Sequence, residues 1–150
     1  MPDLPDGFRL LAFDDLDRDL LYRILAARQR VFVVEQRCLF VDADGLDPAA
    51  LHLVAGDVDG YLRLFVGDAT TPSRFGRVMV APERRGLGLG RRLVEAAIDV
   101  LERLAPAAPI HIGAQRHLDD WYRGFGFELA GDPYDDDGIP HVDMVRAARG

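Results

Sequence analysis

Hydrophobic positions recur along this chain with two different periods, which predict strands and helices in alternation. Residues 8–13, 51–55, 61–66 and 75–81 are apolar, β-branched and aromatic runs typical of strands. After Asp17, a residue type favoured at helix N-caps, apolar residues recur every three or four positions as far as Phe32. That spacing predicts one amphipathic helix. The most regular pattern runs from Leu89 to Leu104 and predicts a helix of four turns.

The C-terminal third continues the alternation in shorter segments. A strand is predicted at 110–113, a helix at 115–125, and two final strands at 127–130 and 142–145. Pro82 ends the strand at 75–81, since proline cannot donate to a sheet ladder. Strands alternating with helices predict an α/β or α+β fold, in which helices cover the faces of one sheet.

Composition narrows the classes of protein that fit this pattern. The chain has 150 residues, 49% of them hydrophobic and 29% charged, which predicts one globular domain over residues 1–150. One cysteine, Cys38, excludes an intrachain disulfide, and its apolar surroundings predict a small buried side chain. Because no apolar run resembles a signal peptide or a membrane span, we expect a cytoplasmic protein without membrane contact.

The formal net charge of -7 bears on the partners of the protein. Nucleic-acid binding depends on many Lys and Arg contacts to phosphates, so we expect no nucleic-acid partner. A cationic small molecule or a basic peptide suits this charge better.

A glycine-rich segment between the strand at 75–81 and the long helix predicts a phosphate site. Helix N-termini favour anions, and Gly86, Gly88 and Gly90 leave the backbone N–H groups accessible. A Walker loop is excluded because Arg91 and Arg92 follow the last glycine where Lys and Ser/Thr are required. The spacing also fails the G-x-G-x-x-G pattern of dinucleotide-binding folds.

The segment from Arg85 to Gly90 resembles the R/Q-x-x-G-x-G/A signature of the GNAT acetyltransferases. A second motif of that family resembles Gln115, Tyr122 and the Gly126-Phe127 pair, although the family more often has Asn at the first position. Further segments resemble its ElaA-like branch, namely 30–36, 42–47, His52, 76–78, 113–115 and 137–141.

The resemblance implies the GNAT fold and acetyl-coenzyme A as cosubstrate. The expected sheet is mixed, mostly antiparallel, with six or seven strands and about four helices, and it splays beside residues 75–81 where pantetheine inserts. The backbone of one strand would pair with pantetheine, and the glycine loop and one glutamine would contact the rest of the cofactor. The implied cofactor-binding residues are Val78, Met79, Val80, Arg85, Gly86, Leu87, Gly88, Leu89, Gly90, Arg91 and Gln115.

The resemblance also implies acetyl transfer by direct attack of an amine on the thioester. Tyr122 would be the general acid for the leaving thiolate. An amine with a pKa of about 10.4 needs a proton acceptor near neutrality, and the candidates are Glu35, His52, His111 and His141, with Glu35 and His141 preferred. The acceptor is a small-molecule amine, a peptide N-terminus or a lysine. A monomer and a homodimer both remain open.

Two alternatives accompany this prediction. The Asp42, Asp44 and Asp47 stretch fails the spacing of a calcium-binding EF-hand, and we expect a solvated loop near the acceptor entrance and no metal. The alternative function is a non-catalytic GNAT-fold module that binds coenzyme A or an acyl carrier as a regulatory ligand.

Overall fold

The computed structural model of the protein describes residues 3–149, and they form one mixed sheet with helices on both faces. The strands are β1 (Phe8–Ala12), β2 (Leu51–Ala55), β3 (Gly60–Phe65), β4 (Ser73–Val80), β5 (Ile110–Gln115), β6 (Glu128–Leu129), β7 (Tyr134–Asp136) and β8 (Ile139–Arg146). Their order in the sheet is β1-β2-β3-β4-β5-β8-β6, and β7 also pairs with β8. Every pairing is antiparallel except that of β4 with β5.

The first helical segment changes its hydrogen-bond pattern half-way. Helix α1 spans Arg18–Arg28, and the Asp17 carboxylate caps it by accepting from the Leu20 N–H at 2.7 Å. The chain then continues as a π-helical segment, Gln29–Glu35. The prediction of one helix as far as Phe32 therefore differs from the structure over residues 29–32, because i to i+3 and i+4 spacing of apolar residues does not distinguish α from π geometry. Helix α2 spans Leu89–Leu104 and α3 spans Asp119–Arg123.

The two faces of the sheet carry separate apolar clusters. One face packs against α2 and α3 through residues such as Leu53 and Leu62, and the other packs against α1 and the π-helical segment through Val54 and Tyr61. Adjacent strand residues point to opposite faces, so this division follows from the alternation along β2 and β3. Within residues 3–149, no helix combines the length and the apolar character needed to cross a membrane.

The sheet opens between its two central strands. Among the described residues, β4 and β5 pair only at Ser73 with Ile110 and at Arg74 with His111. The predicted splay beside residues 75–81 is therefore present. On its other edge β4 stays paired with β3. The register of this pairing shifts between Tyr61 and Arg63 of β3.

That register shift is a β-bulge centred near Arg77, whose φ of 53° lies in the left-handed region. An extra residue on one strand reverses the side-chain alternation beyond it. Phe75 accordingly belongs to the cluster under α2, whereas Met79, four residues later, belongs to the cluster under α1. The bulge thus lies where β4 separates from β5.

The fold class is confirmed, and three of its details differ from the prediction. The sheet has eight strands instead of six or seven. The short strand β7 is exposed along its whole length and has no apolar alternation, so the sequence pattern did not predict it. Gln115 ends β5 and is the N-cap residue of the following 3-10 turn, so it lies before the helical segment and not within it. The predicted helix at 115–125 is a 3-10 turn, Arg116–Leu118, followed by α3.

Candidate active site

The splay between β4 and β5 opens into a cleft of about 690 Å³. Residues from both strands line it, together with the π-helical segment, the start of the α3 region and the β7–β8 hairpin. The lining includes Phe32, Gln36, Cys38, Phe40, Arg77, Val78, Arg85, Gln115, Tyr122, Tyr134, Asp136 and His141. The structure therefore brings Val78, Arg85, Gln115, Tyr122 and His141, all predicted from sequence, to one cleft.

The glycine loop precedes α2 beside this cleft. Gly86 and Gly88 have φ values of 83° and 77°, a conformation that L side chains rarely adopt, and the space where each Cβ would stand is open. Gly88 is the N-cap residue of α2, which has no side-chain cap. The first N–H groups of a helix lack intrahelical partners, so this loop fits the phosphates of a cofactor.

The arginines of the loop are engaged with protein groups. Arg85 donates from Nη2 to Glu35 Oε1 at 2.6 Å and from Nε to the Val80 carbonyl at 3.3 Å. Arg91 donates to Glu95 at 3.3 Å. Each of these side chains is about half exposed, so a stronger anion can displace the contacts.

Tyr122 lies in α3 against the apolar cluster. It is 7% exposed and its ring packs edge-on against Phe127, with centroids 6.1 Å apart, and tilted against Phe75 at 6.5 Å. Burial raises the pKa of Tyr122 to about 12, and no neighbouring charge contributes to the shift. The phenol therefore stays protonated at neutral pH, as a proton donor in the cleft must.

The two preferred base candidates lie in different surroundings. His141 has its Nδ1 2.8 Å from the Ile139 carbonyl, which can only accept, so Nδ1 carries the proton and Nε2 has the lone pair. That Nε2 lies 4.0 Å from Asp136 Oδ2, and the ring stacks on Tyr134. Glu35, by contrast, is bound to Arg85.

The other two candidate bases, His52 and His111, lie outside the cleft. His52 is 1% exposed; its Nε2 donates to the Asp47 carbonyl at 2.9 Å and its Nδ1 accepts from the Tyr61 hydroxyl at 2.6 Å. Burial lowers the pKa of His52, which keeps the ring neutral. His111 is exposed and lines a different cavity with Arg74.

The acidic stretch at 42–47 belongs to a buried ion-pair network, so the prediction of a solvated loop is wrong. Arg28 donates to Asp42 Oδ2 at 2.8 Å and to Asp47 Oδ1 at 2.7 Å. Arg63 donates to Asp44 Oδ2 at 2.6 Å and to Asp47 Oδ1 at 3.0 Å. The Arg63 hydrogen bonds hold the pKa of Asp44 far below its usual value.

The network also fixes the bulge of β4. Arg77 Nε lies 2.9 Å from Asp42 Oδ1, and its guanidinium stacks over the Phe40 ring at 4.7 Å. These contacts hold the one residue of β4 that has left-handed backbone.

Sequence reasoning missed this network, although two signals were present. Arg28 follows Leu20 and Ile24 at intervals of four on the apolar face of α1, and Arg63 interrupts the apolar alternation of β3. A cation at a core position requires an anion, and the aspartates supply it.

Comparison with known proteins identifies the family. The family described as "Acetyltransferase (GNAT) domain" matches residues 48–148. The chain belongs to this acetyltransferase family. Protein ElaA of Escherichia coli is 35% identical over 142 residues, which cover 91% of this chain and 93% of ElaA. The predicted ElaA-like branch of the GNAT family is thereby confirmed.

Further proteins are similar over most of this chain. A UPF0039 protein of Synechocystis is 44% identical over 138 residues, covering 89% of this chain and 90% of that protein. The crystal structure of an acyl-CoA N-acyltransferase from Pseudomonas aeruginosa superimposes with a TM-score of 0.86 at 37% identity, covering 93% of this chain and 99% of that chain. The crystal structure of ElaA gives the same TM-score at 33% identity, covering 93% of this chain and 98% of that one.

Proposed function

We propose that this GNAT protein transfers the acetyl group of acetyl-coenzyme A to an amine by direct attack. The observation that carries the proposal is the cleft at the splay, which runs beside the N-terminus of α2 and holds both Tyr122 and His141. The name of the similar P. aeruginosa protein, an acyl-CoA N-acyltransferase, supports an acyl-coenzyme A as donor.

Each part of the cofactor has a matching group in the chain. The backbone N–H groups of the loop at 86–91 would bind the pyrophosphate. The edge of β4 at Val78, Met79 and Val80, which β5 leaves unpaired, would bind pantetheine as an added strand. Gln115, at the end of β5, faces β4 across the cleft and would contact the cofactor from there.

Bound acetyl-coenzyme A supplies a thioester carbonyl and a thiol leaving group, and the chain's own residues move the protons. His141 Nε2 would take the proton of the amine, and Asp136 Oδ2 lies 4.0 Å from that nitrogen. Tyr122 would donate its proton to the leaving sulfur. One N–H at the bulge of β4 would polarise the carbonyl oxygen. Glu35 is the second candidate base and requires release from Arg85.

The charges around the proposed base His141, which we take as the acceptor end of the cleft, favour one class of amine. Tyr134 and Asp136 line it, and Asp135 and Asp137 flank Asp136 in the β7–β8 hairpin. The arginines that line the cleft, Arg77 and Arg85, are paired with carboxylates. These charges favour an amine that carries further positive charge over an amino acid with a free carboxylate.

Thiol release from acetyl-coenzyme A tests the proposal across a panel of amines. The panel contains an aliphatic diamine, an aminoglycoside, a free amino acid and a peptide with an open N-terminus, with a reaction lacking amine as the blank. We expect release above the blank with at least one cationic amine. Tight binding of coenzyme A without release for any amine would instead support the regulatory-module alternative.

A further inference from the structure

The segment from Arg30 to Gln36 is bound to both sides of the cofactor cleft. Towards the glycine loop, Arg30 donates to Glu83 at 3.2 Å and Glu35 accepts from Arg85 at 2.6 Å. Arg85 directly precedes the first glycine of the loop, so this second contact ties the π-helical segment to the proposed phosphate site.

The opposite side of the cleft is bound by the next residue. Gln36 Oε1 accepts from Gln115 Nε2 at 3.0 Å. Gln115 ends β5 and Arg85 lies in the loop after β4, so residues 35 and 36 bridge the open end of the splay. Phe32 and Gln36 line the cleft from the same segment. The segment therefore spans the cleft as a strap.

The Glu35–Arg85 contact is exchangeable, unlike the buried network. The side chains of Glu35 and Arg85 are 40% and 44% exposed, whereas those of Arg28 and Asp42 are 1% and 4% exposed. Exposed ion pairs contribute little stability, and a phosphate is a stronger partner for a guanidinium than one carboxylate. A phosphate at the glycine loop would therefore compete directly with Glu35 for Arg85.

We propose that Glu35 is a positioning residue that acts through Arg85. In the absence of cofactor its carboxylate holds the guanidinium, and a coenzyme A phosphate replaces it when the cofactor binds. This exchange breaks the tether between Glu35 and the glycine loop, while the contacts of Arg30 with Glu83 and of Gln36 with Gln115 remain. The inference rests on the proposed function, because it takes coenzyme A as the ligand of the loop.

Calorimetric titration with coenzyme A tests the exchange on the intact chain. Glu35→Gln removes the competing charge, so we expect the dissociation constant to fall about threefold to fivefold, the range that an exposed ion pair provides. Glu83→Gln is the matched control, since it removes the same charge from an ion pair between the same two segments without contacting Arg85. We expect a change below about twofold for this control.

A double-mutant cycle separates the exchange from general electrostatics. In an Arg85→Gln background, Glu35→Gln should no longer improve binding, because the side chain for which Glu35 and the phosphate compete is gone. Equal effects of Glu35→Gln with and without Arg85, or equal effects of the Glu35 and Glu83 variants, would overturn the inference. Weaker binding by Glu35→Gln would overturn it as well. A parent chain that does not bind coenzyme A would overturn the proposed function itself.

Hydrogen exchange gives a readout that does not depend on affinity. Without cofactor, the amides of residues 29–36 should exchange faster in Glu35→Gln than in the parent, because the strap has lost one tether. With saturating coenzyme A, the two proteins should exchange alike, since the tether is then broken in both. A difference that persists unchanged at saturation would contradict the proposed exchange.

Discussion

At the scale of single residues, the environment of Tyr122 determines what its hydroxyl can do. Three aromatic rings surround it, those of Phe75, Trp121 and Phe127, and they fix the phenol without hydrogen bonding to it. Because burial raises its pKa to about 12, the phenol remains protonated throughout the neutral range. A rigid, protonated phenol in the cleft suits a proton donor to a departing thiolate.

Replacement of Tyr122 by Phe tests this role, because it keeps the ring and removes only the hydroxyl. We expect the turnover number to fall at least about tenfold, since general acids contribute roughly a hundredfold or more and water can partly substitute. The affinity for acetyl-coenzyme A should stay unchanged. Steady-state kinetics and calorimetry check the two expectations.

Tyr22→Phe provides the matched control, because Tyr22 lies on α1 and is 76% exposed. It should leave the turnover number as in the parent. A turnover number of Tyr122→Phe within twofold of the parent, measured where chemistry limits the rate, would leave Tyr122 with a packing role only.

At the scale of elements, the junction of the glycine loop with α2 determines how phosphate is bound. Gly88 is in the left-handed region at the helix N-cap, and the free N–H groups of the first turn are open beside it. Asn is the residue other than Gly that tolerates this backbone conformation best. An Asn side chain there would project into the open space beside those N–H groups.

Gly88→Asn should therefore keep the fold and lose cofactor affinity. We expect the dissociation constant for coenzyme A to rise at least about tenfold, because the Asn side chain fills space through which the phosphate must approach the backbone. Calorimetry measures the affinity, and thermal unfolding verifies the fold.

The control for this variant is Gly45→Asn, at a glycine with a φ of 86° and equally open space. It should leave coenzyme A affinity unchanged. If both variants bind coenzyme A as the parent does, the glycine loop does not hold the phosphates.

The elements also show how far the sequence determined the structure. Helix α2 was predicted at both ends, since its apolar spacing is regular and Gly88 and Pro106 bound it. The π-helical segment was not predicted, because its apolar spacing suits an α-helix as well. Gln115 was assigned to a helix because of its position in the motif. In the structure it pairs with His141 of β8, and this contact, which is distant in sequence, extends β5 as far as Gln115.

Only those parts of the candidate site that lie within local sequence motifs were predicted. The glycine loop and Tyr122 follow from local patterns, and their convergence at one cleft agrees with the resemblance to the GNAT family. The positions of Asp42, Asp44 and Asp47 could not follow from local sequence, because their arginine partners come from α1, β3 and β4. The polarity of the stretch at 42–47 therefore predicted a solvated loop, although these aspartates belong to the ion-pair network.

At the scale of the whole molecule, the buried network makes stability depend on pH in two separate ranges. Although burial acts against it, pairing with Arg28 and Arg63 lowers the pKa of Asp47, so its contribution is complete above the unfolded value of about 3.9 and is lost below it. Burial lowers the pKa of His52 below its unfolded value of about 6.5. The unfolded chain therefore takes up a proton first, and stability is lost as the pH falls below that value.

Urea denaturation between pH 8 and pH 5 tests the His52 contribution. We expect the free energy of unfolding to decrease below about pH 6.5, with a slope of at most about 1.4 kcal/mol per pH unit from this one proton. His52→Gln should lower stability at pH 8, because the Tyr61 hydroxyl loses its acceptor, but should flatten the slope.

His117→Gln, at an exposed position, is the control and should retain the slope of the parent. An equal slope in His52→Gln and in the parent would show that the acid sensitivity near pH 6 arises elsewhere.

The same network restricts how this chain can be recombined with its relatives. Arg28, Arg63 and Arg77 meet Asp42, Asp44 and Asp47 from separate stretches of sequence, and a buried charge that loses its partner destabilises a protein strongly. A chimera whose crossover falls between residues 47 and 63 inherits the aspartates from one parent and two of the arginines from the other. Such a hybrid folds well only if both parents carry compatible charges at all six positions, whereas a crossover after residue 77 transfers the set intact.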